Sequence, residues 1–133
     1  MIYSKCKRYY KYRLEESFEF QLRRYGIKDC FCKTPFIELT GGRIIIKKGY
    51  AWDGASGPTI DTKSSMRASL VHDALYQLIR LKLLPFSYKA IADKNFYNIC
   101  LRMVCGNGGL NYGIRLLRIL QITLLNLKKE KYS

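Results

Sequence analysis

Histidine is almost absent from this chain, which holds a single one, His72, in 133 residues. Acidic residues are also scarce, 10 Asp and Glu against 24 Lys and Arg, so the formal net charge is +14. No apolar run reaches the roughly 20 residues that a membrane-crossing helix requires. The richest stretch, Ile114 to Leu127, is broken by Arg115 and Arg118, and reads as a segment that lies on a membrane rather than through it. The basic start, Met1 to Arg8, is followed by no apolar core and small-residue cleavage site, so no signal peptide is expected. Cysteine is present at 6, 30, 32, 100 and 105, an odd set whose spacings fit neither a paired disulfide framework nor a Cys-x-x-Cys zinc knuckle. Reduced thiols that pack in strands and core are the expectation.

What the chain does have is 48% hydrophobic and 14% aromatic residues, enough at this length for one core without staples. We expect a single domain over 1–133. Its positive charge attracts polyanions. The basic residues are dispersed along the chain, from Lys5 to Lys131, rather than gathered on one reading face. That dispersal weighs against nucleic acid, and leaves an anionic membrane surface or a protein as the favoured partners; oligomeric state is not legible.

The order of patterns predicts an α+β fold: a basic segment over 1–33, a β-hairpin and loop over 34–61, and a region of three helices over 62–129. Thr34 to Thr40 and Arg43 to Lys48 are β-favouring runs joined by Gly41-Gly42, whereas Tyr3 to Arg24 is aromatic and charged with weak periodicity. Asp53 to Asp61 is rich in glycine and holds Pro58, so it forms a loop that offers carbonyls or amides. A helix follows from about Thr62–Ser65 to Leu81 with Ala68, Val71, Leu75, Leu78 and Ile79 as its core stripe. Leu84 to Ser87 breaks it, and a second helix runs from Tyr88 to about Val104.

The candidate site lies on these two helices. His72 and Tyr76 are one turn apart on the border of the apolar stripe, with Asp73 a step toward the polar side. Asp93 falls on an apolar face, where an unpartnered carboxylate costs several kcal/mol. His72 is its natural partner if the helices pack antiparallel, and that contact would set the imidazole tautomer and leave one nitrogen as a base. Asp73 and Asp53, with loop carbonyls of Gly54 and Gly57, form a candidate set for a divalent cation, calcium first. The same residues admit a structural reading, in which His72 and Asp93 tie two helices and Asp53 caps the loop. Trp52 reads as an anchor for that loop.

Trp52-Asp53-Gly54-Ala55-Ser56-Gly57-Pro58, His72-Asp73-Ala74-Leu75-Tyr76 and Ala92-Asp93-Lys94-Asn95-Phe96-Tyr97 together resemble a family of small domains of unknown function from bacteriophages and prophages, over about residues 35 to 125. The resemblance implies a phage origin and a place in the host cytoplasm or the virion. The pattern also looks like that of secretory-type and parvoviral phospholipase A2, where a glycine-rich calcium loop precedes a His-Asp-x-x-Tyr helix and a second helix supplies an Asp. That resemblance implies His72 as general base, Asp93 as its orienting partner, Tyr76 as support, Asp73 as a calcium ligand, and Gly54 and Gly57 as shapers of the loop. The loop here, Asp-Gly-Ala-Ser-Gly-Pro, departs from the lipase pattern, and the disulfides of that family have no counterpart. Two functions follow as expectations: metal-assisted hydrolysis of an ester or lipid, or a non-enzymatic phage accessory or virion role in which the His/Asp pair is scaffold.

Overall fold

The computed structural model describes residues 1–6, 10–23, 26–54 and 63–104, with helical side chains described over 65–100. The fold is α+β: antiparallel sheets in the first half, helices in the second. The strands are β1 (Tyr3–Lys5), β2 (Tyr12–Leu14), β3 (Phe18–Gln21), β4 (Phe31–Lys33), β5 (Ile37–Thr40), β6 (Arg43–Ile46) and β7 (Ala51–Trp52). They form a three-stranded sheet ordered β1-β2-β7 and a four-stranded sheet ordered β3-β6-β5-β4. Strand content therefore reaches well beyond the expected hairpin, into the basic segment 1–33. The extra strands are two to four residues long, so each has only one or two positions that face the core, too few for alternation to register.

The β5–β6 hairpin lies where the glycine pair and the alternation place it. Thr40 pairs with Arg43, and Gly41 and Gly42 between them have φ of 56° and 87°, as a type I′ turn demands. Its register sets Ile37 opposite Ile46 and Leu39 opposite Ile44, and all four side chains are buried. Phe18 and Phe20 of β3 continue the same rows against Ile46 and Ile44. Gly42 is irreplaceable on a second ground, because a Cβ there would stand 2.4 Å from the Ile27 carbonyl oxygen.

Trp52 joins the other sheet to the helices. It is 1% exposed, its ring lies 5.7 Å from that of Tyr12 and 5.8 Å from that of Tyr3, and its Nε1–H donates to Ser69 Oγ at 3.1 Å. Ser69 Oγ in turn donates to the Met66 carbonyl at 3.0 Å. A strand end is thereby fastened to the first helix through a satisfied polar handle inside an apolar cluster.

The helices are α1 (Lys63–Arg80) and α2 (Tyr88–Val104), close to the bounds the periodicity predicts. Ala68, Val71, Leu75 and Leu78 of α1 are buried and Ile79 is partly so. The third expected helix falls on residues beyond 104, outside the described residues. His72 meets Asp93 and Phe96, while Tyr76 meets Asp93 and Lys89, so positions rising along α1 meet positions falling along α2 and the pair is antiparallel. Side chains of both sheets and both helices enter one buried cluster.

The end of α1 carries an unusual residue. The Lys82 amide donates to the Ile79 carbonyl at 3.0 Å and the Leu83 amide to the Leu78 carbonyl at 2.9 Å, the two bonds of a Schellman cap. Such a cap needs a left-handed residue after the helix, normally glycine, and Lys82 fills it with φ of 60°. Lys82→Gly is therefore expected to raise stability by about 0.5–1 kcal/mol, as the relief of a left-handed side chain exceeds the entropy of a freer unfolded chain. Gly42→Ala is expected to lower it by more than about 1 kcal/mol, because positive φ and the Ile27 carbonyl both oppose the methyl group. Urea denaturation of each variant against the wild type checks both.

Candidate functional site

Asp93 is the centre of the site. Its carboxylate is buried, at 7% exposure, and its Oδ1 accepts the Nε2–H of His72 at 2.8 Å and the hydroxyl of Tyr76 at 2.5 Å. Two donors offset the loss of water around a charge that would otherwise be costly to bury. His72 and Tyr76 meet it together because four residues make nearly one turn of α1, which stacks their side chains on the face that meets α2. The imidazole is 2% exposed and packed, with ring centroids 4.2 Å from Tyr76 and 5.5 Å, edge on, from Phe96. Ring position and tautomer are thus set together.

With its proton on Nε2, His72 presents a lone pair at Nδ1. That nitrogen is 3.6 Å from Oδ1 of Asp73, whose side chain is 34% exposed. A lone pair and a carboxylate oxygen are both acceptors, so the pair suits a group that brings protons or positive charge to both from one side: a water, a substrate hydroxyl or a cation. The histidine ring lies between two carboxylates of different character, one sealed in the helix interface and one at its margin.

Two further side chains belong to this neighbourhood that the sequence patterns did not single out. Tyr50, just before β7, has its phenol pushed well above the usual tyrosine range, first by burial and then by the charge of Asp73. Lys89 is buried one turn before Asp93 on α2, and its Nζ lies 5.8 Å from the Tyr76 ring centroid and 5.3 Å from that of Phe86. The signal for Lys89 was available in its spacing of four from Asp93, which shares a helix face. Nothing in the short run around Tyr50 marks it.

The remaining predicted site residues are placed differently. Asp53 is exposed at the end of β7, where its Oδ1 accepts the backbone amide of Lys11 at 3.3 Å. Gly54 follows in a left-handed conformation, φ 77°, and Gly57 lies outside the described residues. Among the described residues no three His, Cys, Asp or Glu side chains gather where a metal ion could sit. Of the cysteines, Cys100 is in the core, its thiol pushed up to about 12 by burial, Cys32 lies in β4, and Cys30 Sγ donates to the Tyr88 hydroxyl at 3.2 Å. Cys105 falls outside the described residues.

Removing the shared acceptor is expected to cost more than removing one donor. Asp93→Ala strands the imidazole N–H and the phenol, and should destabilise by about 3–5 kcal/mol. Tyr76→Phe removes one bond to a charged group and should cost about 1.5–3 kcal/mol. Denaturant midpoints of the two variants give the order; equal losses would mean that the Tyr76 hydroxyl carries the whole effect.

Compared with protein-family models, curated proteins and solved structures, the chain matches none of them, so the reading of this site rests on its own geometry and chemistry.

Proposed function

We propose that the protein is a phage-encoded hydrolase of esters, with lipid esters as the foremost substrate class, in which His72 is the general base. One observation carries the reading: Asp93 accepts a hydrogen bond from the Nε2–H of His72 while the Tyr76 hydroxyl donates to the same carboxylate oxygen, which leaves Nδ1 as the basic nitrogen on the side of the half-open Asp73. In the proposed reaction Nδ1 removes a proton from a water, and the water oxygen adds to the ester carbonyl. The imidazolium so formed is stabilised by Asp93 and returns the proton to the departing alkoxide. Tyr76 positions Asp93 and does not touch substrate.

A divalent cation, calcium first, is part of the proposal. A hard cation takes backbone oxygens and waters as well as carboxylates, so Asp73, Asp53 and the carbonyls of Gly54 and Gly57 have suitable donor chemistry; they are not gathered among the described residues, and Asp53 would have to leave the Lys11 amide to join them. When bound it would supply positive charge for the carbonyl oxygen as that oxygen becomes negative.

The second reading, a non-enzymatic phage accessory or virion protein, is favoured by the near-complete burial of His72, 2% exposed, which suits a helix tie. The two readings part on Asp73, whose partly exposed carboxylate leaves room for an isosteric change without loss of packing. Calorimetric titration with calcium, magnesium, manganese and zinc is expected to show saturable binding in the wild type and none in Asp73→Asn, at unchanged melting temperature. Hydrolysis of short-chain and phospholipid esters is expected to fall about 10²–10⁴-fold in His72→Asn. Activity without metal binding would remove the cation from the proposal, and neither activity nor binding would leave the His/Asp pair as scaffold.

A further inference from the structure

Between Asp73 and Asp93 the chain carries no acidic residue, yet it carries Arg80, Lys82 and Lys89. The connection from α1 to α2 lies in the middle of this interval. It holds three large apolar side chains out in solvent, Leu81 at 53%, Leu83 at 44% and Phe86 at 67% exposure. A groove of about 550 Å³ follows the same turn and is lined by Arg80, Lys82, Leu83, Leu84, Pro85 and Phe86. Exposed leucines alone are ordinary on a protein surface. Their concentration in one turn, around a groove with two cations and no counter-charge from the same stretch, is what calls for a partner.

Lys82 adds a separate argument. Its left-handed backbone is strained for any residue with a Cβ, and glycine would relieve it. The strained position nevertheless bears a cation at the wall of the groove.

We propose that the α1–α2 turn docks on an anionic membrane surface, with Leu81, Leu83 and Phe86 entering the boundary between headgroups and acyl chains and Arg80 and Lys82 meeting lipid phosphates. The pattern fits that boundary: apolar tips reach toward hydrocarbon, and cations at their roots stay at the level of the phosphates on their own aliphatic stems. Such docking is shallow and in-plane, since no helix among the described residues is long and apolar enough to cross a membrane. A nucleic-acid groove would call for aromatic faces on which bases stack along a basic track. Here two of the three exposed apolar side chains are leucines. Lys89 places the docked surface beside the buried pair, because its Nζ lies between the rings of Phe86 and Tyr76. The inference does not rest on the hydrolase reading, since binding is measured without turnover.

The test is co-sedimentation of the full chain with vesicles of phosphatidylcholine alone and of phosphatidylcholine mixed with phosphatidylglycerol. Binding is expected to the mixed vesicles, to weaken with salt, and to be slight on phosphatidylcholine. Leu83→Glu/Phe86→Glu should abolish it with an unchanged thermal melt, as both side chains are exposed. Lys82→Gly, which relieves backbone strain, should still lower affinity about fivefold through the lost charge. Unchanged binding by Leu83→Glu/Phe86→Glu would overturn the proposal by placing the contact elsewhere. Absence of vesicle binding by the wild type, with or without retention on a sulfated polysaccharide column, would overturn it as well.

Discussion

A single carboxylate oxygen holds the two helices in register. Asp93 is in the interface between α1 and α2, and the imidazole of His72 and the phenol of Tyr76 both converge on its Oδ1. Apolar packing alone would tolerate sliding or rotation of one helix against the other, because dispersion contacts are numerous and weakly directional. Two charge-assisted hydrogen bonds to one atom tolerate neither. Whatever chemistry the site performs, the geometry of its histidine follows from this helix pairing, and the pairing follows in part from the histidine.

The sheets act on the site from a distance through Trp52. Its indole ties β7 to Ser69, one turn before Asp73 on α1, so the strand end and the acidic margin of the helix keep a constant relation. Tyr50 extends that relation, since its buried phenol feels the charge of Asp73.

Much of this was legible in the residues themselves. The stretches around Gly41-Gly42, Ala68 to Ile79 and Tyr88 to Val104 carry periods of two or of 3.6 long enough to read, and each became the element its period predicts. The pairing of His72 with Asp93 was legible for a different reason: a lone histidine and a carboxylate on an apolar face need each other. What stayed hidden depends on contacts far apart in sequence. Strands of two to four residues take their shape from neighbours rather than from pattern. Nor does any local rule place a lysine in the left-handed cap after α1, show Asp53 turned to the Lys11 amide, or bring Tyr50 near Asp73.

The brevity of the strands has a consequence for how copies of the protein meet. An outer strand with unpaired amides and carbonyls is a template on which another chain can add, and its danger grows with its length. Among the described residues the outer strands are β1, β7, β3 and β4, none longer than four residues, and β1, β3 and β4 bear Lys5, Glu19 and Lys33 respectively. A neighbour that paired with any of them would gain only a few ladder bonds and would bring a second +14 charge into contact. The molecule can therefore keep Phe31, 72% exposed on β4, without inviting fibril growth along that strand, and crowding at low ionic strength should leave its particles mutually repelled.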